Sequence, residues 1–181
     1  MGRIELILGC MYSGKTTELM RQIMRYKTLN KKIMIITHSM DTRYSDAGNI
    51  ATHNREIMSA YPMKSLSASS NLESYKEADV VFIEEGQFFP DLFEVVTNMA
   101  NRDNKTVIVC GLDGDFQLKP FEQVVQLIPQ AEKVQKFNAL CKKCGDGTEA
   151  CFSKRIINSS ERELVGSDGV YEAVCRYHYY N

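Results

Sequence analysis

Gly9-Cys10-Met11-Tyr12-Ser13-Gly14-Lys15-Thr16 decides how this chain is read. It fits the phosphate-loop pattern G-x-x-x-x-G-K-[ST], and its flanks supply the context that pattern needs. Before it, Arg3-Ile4-Glu5-Leu6-Ile7-Leu8 is a short apolar run with the character of a buried strand. After it, Leu19, Met20, Ile23 and Met24 recur at helical spacing. In a strand-loop-helix unit, loop amides and the unpaired N–H groups of the first helical turn converge on an anion. Gly9 and Gly14 give the backbone freedom such a loop needs. Lys15 is positioned to reach β- and γ-phosphates, and Thr16 to offer its hydroxyl to Mg²⁺. Cys10, Met11, Tyr12 and Ser13 complete the candidate phosphate-binding set.

Working outward, the helix is expected over residues 15–29. Ile33-Met34-Ile35-Ile36-Thr37 then reads as a second buried strand, giving the βαβ unit of a parallel sheet. From 38 to 67 the periodicity fails and Ser, Asp, Gly, Asn and Thr dominate. A long polar stretch at a strand's carboxyl end is where open α/β sheets bind ligands. Arg43 in this stretch is either a charge-assisted clamp on a triphosphate or a solvated arginine. The sequence leaves both open, and His53 reads as an ordinary surface histidine.

A short helix is expected over 71–77, followed by an apolar strand, Ala78-Asp79-Val80-Val81-Phe82-Ile83, that ends on Glu84-Glu85. Acidic residues at this point hold Mg²⁺ in phosphate-loop proteins, directly or through water. Two adjacent carboxylates suggest one near the metal and one acting as base. Phe88 and Phe89 follow, either as core residues or as faces for a flat apolar ligand. An amphipathic helix over 91–101 leads to the strand Thr106-Val107-Ile108-Val109-Cys110. The glycine-rich loop Gly111-Leu112-Asp113-Gly114-Asp115-Phe116-Gln117 comes next, with Phe116 a ligand-stacking candidate among polar neighbours. A helix over 121–128 and a last strand over 133–137 close the main sheet.

Composition shifts at Asn138. Cys141-Lys142-Lys143-Cys144 is C-x-x-C, and Cys175-Arg176-Tyr177-His178 is C-x-x-H. Two such pairs can close a tetrahedral Cys₃His zinc site with no open position, which makes the metal structural. A redox C-x-x-C would not need the second pair, and Cys151 is the alternative fourth ligand to His178. Cys10 and Cys110 read as buried structural thiols. Between the metal pairs, residues 151–157 and 163–165 are expected to form a hairpin. The segment tethered by metal is expected to fold over a ligand and exclude water, as phosphoryl transfer requires.

The chain has 181 residues and 44% hydrophobic content, enough for a core in one domain with a small appendage. A formal net charge of -1 gives no bulk basic surface for nucleic acid. No apolar run reaches the roughly 18 residues needed to span a bilayer. The chain begins almost directly on a strand with no visible signal or transit peptide, so a cytoplasmic setting is expected. A zinc-ribbon ATPase working on nucleic acid and a non-catalytic zinc-ribbon module are the competing classes. The near-neutral charge argues against the first, and Lys15, Thr16 and Glu85 against the second.

Taken together, these residues resemble the zinc-bearing type II thymidine kinases. The resemblance runs from Arg3 to Tyr179. It rests on Gly9 to Thr16, Thr42-Arg43-Tyr44, Glu85-Gly86-Gln87-Phe88-Phe89-Pro90-Asp91, Leu112-Asp113-Gly114, Phe116-Gln117, Lys119-Pro120-Phe121, Ser153-Lys154-Arg155, Tyr171 and the two metal pairs. It implies a P-loop NTPase-like α/β domain over 1–137, with a parallel sheet flanked by helices. It also implies a zinc-ribbon-like domain over 138–181 carrying a lasso loop. The implied reaction moves the γ-phosphoryl group of ATP to the 5′-hydroxyl of thymidine. Glu85 matches the general base, and Thr16 and Glu84 the magnesium-associated positions. Asp41, Arg43, Glu84 and Gln87 match phosphate-binding positions. Met11, Phe88, Leu112, Phe116, Ser153 and Tyr171 match the thymine pocket, with Arg162, Leu164 and Gly166 on the lasso. A homotetramer inhibited by thymidine triphosphate is implied too. The chain departs from the pattern at Glu84, where the family usually has Asp, at Leu118, where an Arg is common, and over residues 145–149, which are slightly longer.

Overall fold

The computed structural model describes residues 1–40, 48–51, 57–158 and 169–181. Its centre is a six-stranded sheet of β1 (Arg3–Gly9), β2 (Ile33–His38), β5 (Tyr61–Met63), β6 (Val80–Ile83), β7 (Thr106–Gly111) and β8 (Lys133–Phe137). The order is β5-β2-β6-β7-β1-β8, and each neighbouring pair is parallel. Such a sheet is covered on both faces, which is why its strands read as near-continuous apolar runs. Along β1, Ile4, Leu6 and Leu8 join one core while Ile7 joins the other, as the two-residue period requires.

Two helices do most of the covering. Helix α1 (Lys15–Thr28) buries Leu19, Met20 and Ile23 against the face that carries Ile7, Ile35, Phe82 and Ile108. Helix α3 (Leu92–Asn101) buries Leu92, Val96 and Met99 against the face of Leu6, Val81 and Val109. Each of these fully buried side chains contributes about 1.5–3 kcal/mol. Asp91 fixes the approach to α3. Its carboxylate accepts from the Ser65 hydroxyl (2.5 Å) and from the Leu66 (3.0 Å) and Ser67 (2.9 Å) amides. It thereby satisfies the start of the 3₁₀ turn Leu66–Asn71.

Several boundaries differ from the sequence reading. The stretch 38–67 is not wholly irregular. It holds β3 (Asn49–Ala51) paired antiparallel with β4 (Ile57–Ser59), and it holds β5 at the sheet edge. Pro62 within β5 is tolerated because an edge strand has a free side. The helix expected over 71–77 is a 3₁₀ turn followed by α2 (Glu73–Glu77). The helix expected over 121–128 is α4 (Glu122–Gln126) and then a separate 3₁₀ turn, Ile128–Gln130. Pro129 follows α4 closely and has no N–H to extend its ladder.

After β8 come β9 (Ala139–Leu140) and β10 (Glu149–Ala150), which pair antiparallel. Next are β11 (Phe152–Arg155), β12 (Tyr171–Val174) and α5 (Arg176–Tyr180). The hairpin expected between 151–157 and 163–165 is corrected: β11 pairs with β12, from Phe152↔Val174 to Arg155↔Tyr171. Residues 163–165 lie outside the described residues. Ala139, Cys141, Ala150, Ala173 and Val174 form a third small core, and Cys10 of the phosphate loop belongs to it. Among the described residues, no helix is long and apolar enough to cross a membrane.

Candidate active site and metal centre

The loops after β1, β6 and β7 meet at the carboxyl edge of the sheet. The first is the phosphate loop. Gly14 opens α1 with φ 83°, a left-handed conformation that favours glycine. Gly9 is required for a second reason. A Cβ there would lie 2.2 Å from the Phe137 carbonyl of β8, so the neighbouring strand leaves no room for a side chain. Inside the loop, the Cys10 carbonyl accepts from the Ser13 hydroxyl (2.8 Å) and from Lys15 Nζ (2.8 Å). Lys15 is thus curled over the loop that it would leave for a phosphate.

At the end of β6 the two carboxylates part company. Glu84 is buried, at 4% exposure, and its Oε1 accepts from the Thr16 hydroxyl at 2.6 Å. Its Oε2 is buried with no hydrogen-bond partner. An unsatisfied buried carboxylate oxygen is costly, and beside a phosphate-loop threonine it is what a hard cation would take up. The residues present therefore fit Mg²⁺, which Thr16 and Glu84 would hold. The extra methylene of Glu84 does not keep it from Thr16.

Glu85 is only half-buried and has φ 54°, an uncommon backbone for a glutamate and one found where function holds it. Its carboxylate accepts from Gln87 Nε2, while Gln87 Oε1 accepts from the Leu112 amide at 3.0 Å. Gln87 is buried. The amide expected among the phosphate-binding groups thus ties Glu85 to the loop after β7. Nothing in the one-dimensional pattern signals this bridge except the short Glu85-Gly86-Gln87 spacing.

The candidate base-pocket residues sit in differing surroundings. Phe88 is half-buried and lines a cavity of about 660 Å³ with His38, Met40, Lys64 and Phe121, whereas Phe89 is 1% exposed and belongs to the core. Phe116 is covered by the Arg155 guanidinium, 3.8 Å from its ring centroid. Arg155 also donates to the Tyr171 hydroxyl at 2.6 Å. Tyr179 donates to the Phe116 carbonyl at 2.7 Å. Asp115 shapes that loop by accepting from the Gln117 and Lys119 amides, each at 2.9 Å. Leu112 packs against the main core.

The phosphate loop is bonded to the C-terminal cysteine-bearing segment at three consecutive residues. Cys10 Sγ donates to the Ala150 carbonyl (3.3 Å), the Met11 amide to Ser153 Oγ (3.0 Å), and the Tyr12 hydroxyl to the Tyr171 carbonyl (3.3 Å). Ser153 and Tyr171 are buried at 6% and 7% exposure. Burial pushes the Cys10 thiol above its ordinary pKa, against the opposing influence of the Ala139 backbone and Lys15. Asp41, Arg43, His53, Arg162, Leu164 and Gly166 lie outside the described residues.

The four metal-ligand candidates converge. Cys141 Sγ, Cys144 Sγ and Cys175 Sγ lie 3.5, 3.4 and 3.5 Å from His178 Nδ1, and Cys144 and Cys175 sulfurs are 3.8 Å apart. A tetrahedral zinc with ordinary bond lengths has S···N edges of about 3.6 Å and S···S edges of about 3.8 Å. The cluster fits that ion, and His178 rather than Cys151 completes it. Lys154 Nζ donates to the His178 carbonyl at 2.7 Å, so β11 is bonded directly to a metal-ligand residue.

Comparison with known proteins identifies the chain's relatives. A family model described as Thymidine kinase matches residues 2–179. "Thymidine kinase 1" of Dictyostelium discoideum is 44% identical over 182 residues, covering 97% of this chain and 76% of that protein. "Thymidine kinase" of Vaccinia virus (strain Western Reserve) is 43% identical over 175 residues, covering 97% and 95%. "Thymidine kinase, cytosolic" of Bos taurus is 42% identical over 179 residues, covering 99% and 72%.

Proposed function

The chain belongs to the thymidine kinase family, and we propose that it transfers the γ-phosphoryl group of ATP to the 5′-hydroxyl of thymidine, with deoxyuridine as a second acceptor, in deoxynucleotide salvage. The observation that carries the reading is the 2.6 Å contact between Thr16 of the phosphate loop and Glu84, with Glu85 beside it. Phosphate cradle, cation donors and a second carboxylate then share one edge of the sheet.

In this reaction the 5′-oxygen attacks the γ-phosphorus and the bond to the β,γ-bridging oxygen breaks, releasing ADP. The hydroxyl proton passes to the Glu85 carboxylate and from there to solvent. Lys15, the loop amides and Arg43 stabilise the charge that spreads over the phosphoryl oxygens. Thr16 and Glu84 would hold Mg²⁺, which when bound neutralises charge on the nucleotide's phosphates. Met11, Phe88, Leu112, Phe116, Ser153 and Tyr171 enclose the thymine. Backbone groups around Arg162, Leu164 and Gly166 read its edge, so wrong bases leave buried polar groups unmet.

Zinc has a structural role, since four protein donors leave no position for substrate. Residues 1–137 form the nucleotide domain in this proposal, and 138–181 the zinc-bearing lasso domain. A homotetramer, inhibition by thymidine triphosphate and a cytoplasmic setting complete it; the bovine relative's printed name supports the last. Neither nucleic acid nor membrane is a partner. The test is transfer from ATP to thymidine with deoxycytidine and single-stranded DNA as controls. Thymidine-dependent product is expected, and DNA-stimulated ATP hydrolysis without it would reject the reading.

A further inference from the structure

The metal cluster uses three of the six cysteines together with His178, and Cys110 is buried inside the sheet. That leaves Cys151 outside the metal set and Cys10 in the phosphate loop. The two are neighbours in space. Cys10 Sγ bonds the Ala150 carbonyl at 3.3 Å, and Ala150 is joined to Cys151 by one peptide bond. The Cys10 sulfur is therefore within about 6 Å of the Cys151 Cα, a separation that side-chain rotation and a shift of the loop backbone must shorten to reach disulfide geometry. Both cysteines line one cavity of about 170 Å³ with Ser153, Asp113 and Lys136. Ser153, two residues beyond Cys151, turns its hydroxyl to the Met11 amide, so this strand already faces the loop at adjoining positions. Cys10 also belongs to the same small apolar core as Ala150.

We propose that Cys10 and Cys151 are an oxidative modification site, at which a reversible disulfide joins the phosphate loop to the zinc-bearing arm. Hydrogen peroxide is the oxidant, and it is small enough for the cavity. Cys151 is the half-buried thiol of the pair and reacts first: its sulfur is oxidised to the sulfenic acid and peroxide is reduced to water. The Cys10 sulfur then attacks the Cys151 sulfur. The S–S bond forms, the S–OH bond breaks, and hydroxide leaves with the Cys10 proton as a second water. Two thiols lose two electrons and two protons in all. A low-molecular-weight thiol reverses the step by exchange.

The crosslink has a consequence for the loop. Cys10 must give up its bond to Ala150, and its own carbonyl holds both Ser13 and Lys15. Moving that carbonyl disturbs the groups that would receive the triphosphate. The crosslink itself is independent of the proposed function, whereas its effect on transfer rests on that reading.

The experiment titrates the zinc-loaded full chain with hydrogen peroxide and follows zinc with a chromogenic chelator, so that doses below metal release are identified. Non-reducing peptide mapping is expected to find the Cys10 and Cys151 peptides linked and two hydrogens lighter than the separate thiols. At those doses phosphate transfer should fall at least roughly tenfold and return with dithiothreitol, while Cys151→Ser keeps its basal rate and resists to within about twofold. Absence of the linked peptide at every zinc-retaining dose overturns the site. A linked peptide with unchanged transfer, or Cys151→Ser losing activity in step with the unsubstituted chain, overturns its effect on the loop. If untreated protein transfers nothing, the kinase reading fails while the peptide map still decides the site.

Discussion

Gln87→Leu separates a positioning role from a binding one. In the folded chain one amide group serves two partners: Nε2 donates to Glu85 and Oε1 accepts from the Leu112 amide at 3.0 Å. Leucine fills similar space and abolishes both. A hydrogen bond to a charged group contributes about 1.5–3 kcal/mol and a neutral one about 0.5–1.5 kcal/mol. The neutral loss falls on folding and should lower Tm by roughly 2–5 °C. The charged loss falls on the orientation of Glu85, and at 1.4 kcal/mol per factor of ten it corresponds to about 10- to 100-fold in kcat. ATP and thymidine dissociation constants should hold within about twofold, since Gln87 acts through Glu85. Steady-state kinetics and isothermal titration read both quantities. A double-mutant cycle with Glu85→Gln sharpens the test, because Gln87→Leu should cost almost nothing once Glu85→Gln has removed the group it positions. Unchanged kcat in Gln87→Leu, or fully additive losses in the cycle, would refute this role.

Three further outcomes follow from particular contacts. Ser153→Ala removes the acceptor of the Met11 amide, and thermal melts should show a loss of about 1–2 kcal/mol, with ATP affinity weakened through the loop; an unchanged melting curve would contradict the coupling. Stripping zinc with a strong chelator should disorder the segment around β11, β12 and α5 and lower thymidine affinity before the main sheet opens, so limited proteolysis should cut first beyond residue 138. For Asp91, burial raises the carboxyl pKa but bonds from Ser65, Ser67 and Leu66 outweigh it, and the net effect lies below the ordinary 3.8. A depressed carboxyl stabilises the fold above its unfolded pKa and loses that contribution as pH falls through the lower folded value. The stability gap between the natural chain and Asp91→Asn, about 1 kcal/mol near neutrality, should therefore close as pH falls below 3.8, as denaturant melts across that range would show.

What the sequence made legible was local and periodic. The phosphate loop announces itself because strand, glycine spacing and helix are contiguous, and Cys141, Cys144, Cys175 and His178 because metal ligands keep short spacings. The buried strands β1, β2, β6 and β7 read directly as apolar runs. What escaped was short or long-range. Tyr61-Pro62-Met63 pairs on one side only and has no apolar run to mark it. The true partner of β11 begins at Tyr171, and its period-two pattern is only four residues long beside the metal ligand Cys175. The Ser153–Met11 bond spans 142 positions and leaves no trace in spacing. Gly9 reads as a phosphate-loop glycine, and only the packing reveals that β8 also demands it.

The central claim is that Glu85 takes the proton of a nucleoside hydroxyl beside the phosphate loop. Single-turnover transfer from γ-labelled ATP to thymidine by Glu85→Gln, with ATP binding measured in parallel, tests it most directly. Retained nucleotide affinity with transfer slowed roughly 10²-fold or more is the predicted result. Transfer at close to the rate of the natural chain would contradict it.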